Sequence, residues 1–273
     1  MTHRRYLQNV LIGVAAALSA AGRFVPAVAR DAAALGARAE TPASATSAMS
    51  DSTLTLGGAI SGVATQAKAA LGVLASAVRP LSQPQALEEA FRSYFAFKST
   101  HPAEVKKPYL YFVDYGLPST TPRGYVFDMS SLKVVDGPFT VAHGRGSSKT
   151  KYGIPTKFSN AIGSAATSLG LYLTKATYAF RGKTGGRSYS SIGLQLMGVS
   201  SGFNDNALAR GVVAHGAPYV TPAAAGRSEG CPAMEQYRAR QLLPKLADGA
   251  LVFLFAPNSR WLNEDPWLAQ NGN

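Results

Sequence analysis

The chain holds a single cysteine, Cys231, among 273 residues. One thiol cannot bridge within the chain, so no disulfide framework supports the fold. Histidine is nearly as scarce: His3, His101, His143 and His215 are all there is. One cysteine and widely separated histidines lack the paired ligand spacing of a metal site. No metal and no other cofactor is expected. Charge is sparse, at 15% of residues, and acid is the scarcer sign, with 15 Asp and Glu against 27 Lys and Arg and a net charge of +12. Such a surface attracts polyanions or simply keeps the protein dispersed. No internal repeat is visible, no nucleic-acid partner is expected, and no apolar run after the first thirty residues is long enough to cross a bilayer.

Those first residues do carry a pattern. "MTHRRYLQN" is basic, "VLIGVAAALSAAG" (Val10 to Gly22) is apolar but short, and Ala27-Val28-Ala29 offers a small-x-small cleavage site. Residues 1–29 therefore read as a signal peptide, with an uncleaved N-terminal anchor as the alternative. After cleavage no stable membrane span remains. The expected location is outside the cytoplasmic membrane, in the periplasm or cell envelope. A spare thiol in an oxidising compartment is a liability unless it is buried or used, which shifts Cys231 towards a reactive role.

Residues 30–83 are rich in Ala, Ser and Thr and read as a linker, expected to be disordered, although "AISGVATQAKAALGVLASAV" could form a weak helix. Residues 84–104 hold an amphipathic helix, with apolar Leu87, Ala90, Phe91, Tyr94 and Phe95 at i, i+3, i+4, i+7 and i+8. Short β-like runs follow at 109–115, 124–129, 139–144, 169–174, 191–196, 211–216 and 250–255, separated by Gly, Pro, Ser and Thr. "MEQYRARQLLPKLADG" adds a helix with a proline inside it. The fold class expected is mainly β, a sandwich or barrel with a few short helices. The working domain spans 105–257, and 258–273 read as a C-terminal tail.

Cys231 lies in "GRSEGCPAM", between a glycine and a proline, rather than in an apolar run. A cysteine nucleophile needs a base or cation beside it. His215 closes the run "GVVAHG" sixteen residues earlier and is the candidate base; the bland alternative is a core histidine bonded to a carbonyl. Ser228 and Gly230 would shape a tight turn whose amides can form an oxyanion hole. Arg227, beside the motif, can hold a carboxylate through a bidentate contact or be a solvated loop residue. Tyr219 is a further candidate contact.

"HGAPYVTPAAAGRSEGCPAM" resembles the signature of the L,D-transpeptidase catalytic domain (the YkuD type): a His-Gly pair, a spacer of this length, then Ser/Thr-x-Gly-Cys. The branch with "GRSxGCPA" is the nearest in pattern, and "VDYGLPSTTPRGYVFDM", "VAHGRGS" and "FSNAIGSAATSLGLYLT" resemble it too, over about residues 105–256. The resemblance implies Cys231 as nucleophile and His215 as base, with the imidazole oriented by a main-chain carbonyl such as that of Gly216. It also implies His143, Arg145 and Ser147 as a second cleft wall, with His143 otherwise structural. The implied substrate is the peptidoglycan stem peptide. Glu229 stands where the commoner signature has histidine, and Pro232-Ala233-Met234 replaces its usual tail. Transfer and hydrolysis therefore both stay open. Two rivals remain. A sortase-like transpeptidase would normally have Thr before its cysteine, which Gly230 does not fit. A non-catalytic wall-binding domain would have no use for the Cys–His pair.

Overall fold

The computed structural model of the chain describes residues 62–269. The signal read at 1–29 and the first part of the linker lie outside the described residues.

The strands are β1 (Tyr109–Asp114), β2 (Gly124–Asp128), β3 (Lys133–Phe139), β4 (His143–Gly144), β5 (Gly170–Thr184), β6 (Arg187–Gly198), β7 (Val213–Ala217), β8 (Arg227–Ser228), β9 (Ala233–Glu235) and β10 (Leu251–Phe255). Eight of them form one sheet in the order β3-β2-β1-β10-β5-β6-β7-β9, and β4 pairs separately with β8. Two pairings in the large sheet are parallel, β1 with β10 and β7 with β9. The mainly β expectation is met.

The sheet is built around its most apolar strand. "LVFLF" in β10 is buried at every position, as expected for a central strand covered on both faces. Helix α2 (Ala86–Thr100) packs against β1 and β10, and α3 (Gln236–Leu246) against β5, β6 and β7. The stripe read in α2 faces the core: Leu87, Ala90, Phe91 and Tyr94 are buried, and Phe91 meets Phe127 of β2 edge-on at 5.5 Å. Pro244 does not split α3, which runs on to Leu246. It sits in the last turn, where only one backbone bond is forfeited.

Three readings need correction. Residues 62–83 are not a free tether. Residues 62–74 form helix α1, and Val63, Ala67, Ala70 and Leu74 line up at i, i+4, i+7 and i+11 as its buried face. Small alanines let this helix lie close on the core, and packing outweighs the modest propensity of its glycines and β-branched residues. The segment after it is tied down as well: Tyr125 Oη accepts from Arg79 N–H at 2.9 Å, and buried Asp114 accepts from the amide and the hydroxyl of Ser82, each at 2.7 Å.

Residues 258–269 are likewise not a tail. They form α4 (Ser259–Glu264) and α5 (Pro266–Ala269), with Asn258 capping α4 through a 3.0 Å bond from Trp261 N–H. Trp261 is fully buried against Phe253 and Phe255, and its indole donates to Asp265 at 2.8 Å. Third, the run read at 139–144 is divided between the end of β3 and the start of β4. The polar body of β3 carries Pro138, which an edge position accommodates.

Strands β5 and β6 also outrun the expected segments. Only Gly170–Leu173 of β5 pairs with β10, and only Gly193–Gln195 of β6 pairs with β7. Thr177–Thr184 pairs with Arg187–Leu194, forming a ribbon that turns at Gly185-Gly186.

Candidate active site

Strands β7 and β9 bring the two halves of the motif together. His215 lies opposite Ala233 in their parallel register. Cys231 precedes Ala233 by two residues, at the entry to β9, level with Val213. Its sulfur accepts a hydrogen bond from the Val213 amide and lies 3.9 Å from the Gly211 carbonyl oxygen. Cys231 is half-buried. The polypeptide reaches it through a turn locked by Ser228, whose Oγ accepts from Gly230 N–H at 3.1 Å and donates to the Cys231 carbonyl at 2.7 Å. Gly230 has φ +123°, and a Cβ there would fall 2.8 Å from the Ala166 carbonyl oxygen, so only glycine fits. Because the Gly230 amide is bound to Ser228, it does not point at a substrate. Among the described residues the amide of Cys231 itself makes no hydrogen bond.

His215 is buried, and its Nδ1 lies 3.1 Å from the Gly216 carbonyl oxygen. With a carbonyl as partner Nδ1 carries the proton, and Nε2 keeps its lone pair. Gly216 is also a packing glycine, since a Cβ there would meet Ala239 on α3 at 2.9 Å. The ring of Phe180, from the β5–β6 ribbon, stacks on the imidazole with centroids 4.2 Å apart and planes at 21°. Burial lowers the His215 pKa to about 4, against the small upward pull of Gly216. Burial also pushes the Cys231 thiol up, opposed by the Val213 amide and by Arg210. At neutral pH the site therefore rests as thiol and neutral imidazole, and the thiol needs a base at the moment of attack.

The second wall is divided by depth. Pairing of β4 with β8 sets His143 opposite Arg227 and Gly144 opposite Ser228. His143 is fully buried; its Nδ1 accepts from Arg123 at 3.0 Å, and burial followed by the Arg123 charge lowers its pKa to about 3. Ser147 is also buried, with Oγ accepting from Thr167 N–H at 2.9 Å. These two hold the wall from beneath. Arg227 donates to the Ser148 carbonyl at 3.1 Å, which fixes the loop opposite. Arg145 stays at the surface, paired with Glu229 at 2.7 Å. It borders a recess of about 220 Å³ lined also by Ser148, Lys149 and Lys157. Tyr219 is half-buried and meets Tyr189 of the ribbon edge-on at 6.4 Å.

Three residues of the site were missed in the sequence. Arg123 is fully buried and, among the described residues, forms no ion pair; it donates to Val141 and Leu117 carbonyls and lies over the Tyr115 ring at 4.7 Å. Arg210 ties the loop behind the cysteine turn, donating to the carbonyls of Ser159 at 2.8 Å and Ala166 at 2.5 Å. Phe180 is the third. Arg123 sits in "VDYGLPSTTPRGYVFDM", and an arginine in "PRGYVFD", leading into a buried strand, was the available signal; Phe180 offered none.

Among the described residues no group of three or more potential metal ligands converges, and no helix is long and apolar enough to cross a membrane.

A thiol at the mouth of one strand and a neutral, carbonyl-oriented imidazole on its neighbour are equipped for nucleophilic acyl transfer. Residues 79–255 match the L,D-transpeptidase catalytic domain, and the chain belongs to that family. The match starts well before residue 105 and so includes α2. Similar solved structures include an L,D-transpeptidase from Mycobacterium smegmatis at 13% identity, covering 55% of this chain and 59% of that one with a TM-score of 0.34. Another is an L,D-transpeptidase (Yku) from Stackebrandtia nassauensis at 16% identity, covering 63% and 66%, again with a TM-score of 0.34. The chain thus spans less than two thirds of either structure. A search of curated proteins gives no match.

Proposed function

We propose that the protein is a cysteine-dependent acyltransferase of the cell wall, acting on peptidoglycan tetrapeptide stems. The Cys231 sulfur attacks the carbonyl at the L-configured centre of the stem diamino acid while His215 Nε2 takes the thiol proton. The C–S bond forms, the C–N bond to the terminal D-Ala breaks, and His215 returns the proton to the leaving amine. An amine of a second stem then displaces sulfur from the thioester, giving a 3→3 cross-link and restoring the thiol through His215. Water in place of that amine gives L,D-carboxypeptidase trimming. The Cys231 amide is the donor available to the developing oxyanion. Arg145 and the basic recess beside it suit the carboxylates of the stem. The export signal read at residues 1–29 suits a substrate outside the cytoplasmic membrane.

The observation that carries this reading is the β7–β9 register, which sets the lone cysteine beside the strand of a histidine whose Nδ1 is held by Gly216. The test is intact-protein mass spectrometry after incubation with a tetrapeptide donor or a carbapenem-like acyl mimic. An adduct on the wild type that is absent from Cys231→Ser is expected. Turnover without any adduct on Cys231 overturns the assignment of the nucleophile. Binding without turnover, unchanged in Cys231→Ser, favours a wall-binding module instead.

A further inference from the structure

We infer that Phe180 is the positioning residue of the histidine base, held over the His215 ring by the β5–β6 ribbon. The inference rests on reading His215 as that base. His215 has only one hydrogen bond among the described residues, Nδ1 to Gly216, and a single bond leaves the ring free to rock about that axis. The Phe180 stack, at 4.2 Å and 21°, fixes the plane and shuts water from one face. The sheet leaves room for this contact, because the residue beside His215 on β6 is Gly193, where a Cβ would fall 2.8 Å from the Tyr178 ring and 3.2 Å from Phe180 Cβ. The ribbon is braced on both sides. Gln236 of α3 donates to the Ser190 carbonyl at 3.1 Å, and Tyr189 meets Tyr219. Phe180 contacts the base by its ring, so its action is through the imidazole.

The test follows the His215 ring by NMR titration and, separately, the rate of Cys231 acylation by a carbapenem-like mimic, in the full chain and its Phe180 variants. In Phe180→Ala water reaches the ring, so the His215 midpoint should rise towards the ordinary 6.5 from its low folded value. Acylation at pH 7 should slow about tenfold or more, as part of the 10²–10⁴-fold that general-base help supplies. Phe180→Tyr should restore both. If Phe180→Ala does not fold, Phe180→Thr, which suits a strand but opens the ring face to water, is read the same way. An unmoved midpoint, or a moved midpoint with unchanged acylation, overturns the inference. A wild type that never acylates Cys231 sinks the proposed function instead, while the His215 midpoint still decides whether Phe180 governs the ring.

Discussion

Cys231 and His215 do different work at rest than in reaction. The thiol is pushed up and the imidazole down, both by burial, so neither is charged at neutral pH. Simple alkylation depends on the thiolate alone. Iodoacetamide should therefore label Cys231 more slowly in the folded chain than in the unfolded one at pH 7, with the folded rate still climbing above pH 9. His215→Ala should cost the transfer reaction about 10²–10⁴-fold, measured as kcat/KM on a tetrapeptide donor. Acid should act on stability as well as rate. His215 and His143 have folded pKa values near 4 and 3, below the ordinary 6.5, so the unfolded chain binds protons first as pH falls. Stability from these groups is complete above about pH 6.5 and is lost between there and about pH 4 for His215, or pH 3 for His143. Linkage puts the loss for His215 alone on the order of 3 kcal/mol. Urea unfolding as a function of pH should show this slope, and His143→Gln should flatten it. Beside these, the Arg145–Glu229 pair is surface-exposed, and Glu229→Gln should leave the melting temperature unchanged.

At the scale of elements, segments that looked expendable prove to be parts of the core. Helix α1 lays its buried face on the core, Ser82 bonds buried Asp114, and α4 seats Trp261 against β10. A chain beginning at residue 84 would leave Asp114 short of two donors; one beginning at 105 would also lose α2. Urea midpoints should fall in that order from the full chain, and an unchanged midpoint for the chain from 84 would show that α1 packs without stabilising. Trp261→Ala should cost about 3–5 kcal/mol, as for other large core truncations. These contacts were illegible locally for a common reason. Half of the α1 stripe is alanine, Ala67 and Ala70, which carry little hydropathy signal, and the value of its packing depends on a partner surface far along the chain. The strands with continuous apolar runs, β1, β2, β7 and β10, were by contrast readable from their own residues.

At the scale of the whole molecule, the site was legible in outline because its two reactive groups lie in one stretch of sequence, Val213 to Met234. What surrounds them comes from elsewhere. Phe180 arrives on a ribbon, Arg123 from the other side of the sheet order, and Arg210 through carbonyls of a loop some fifty residues earlier. No local spacing announces such partners, since only the register of a mixed sheet brings them together. The same separation explains why His143 could be read for the substrate wall: its motif resembles that of His215, but its ring is sealed beneath the surface by Arg123.

The sheet order has a last consequence, for how copies of the molecule behave towards one another. Its outermost strands are β3 and β9. β3 carries Lys133, Asp136 and Pro138, and Asp136 is paired with Arg238. β9 is three residues long, and Ala142 N–H donates to the Ala233 carbonyl at 2.8 Å, closing part of its outer rim. Neither margin offers a long row of free backbone groups for a second sheet to extend. With a net charge of +12 adding mutual repulsion, the sheet is built to end where it ends, and concentrated solutions should resist growth of intermolecular β-structure for as long as the fold holds.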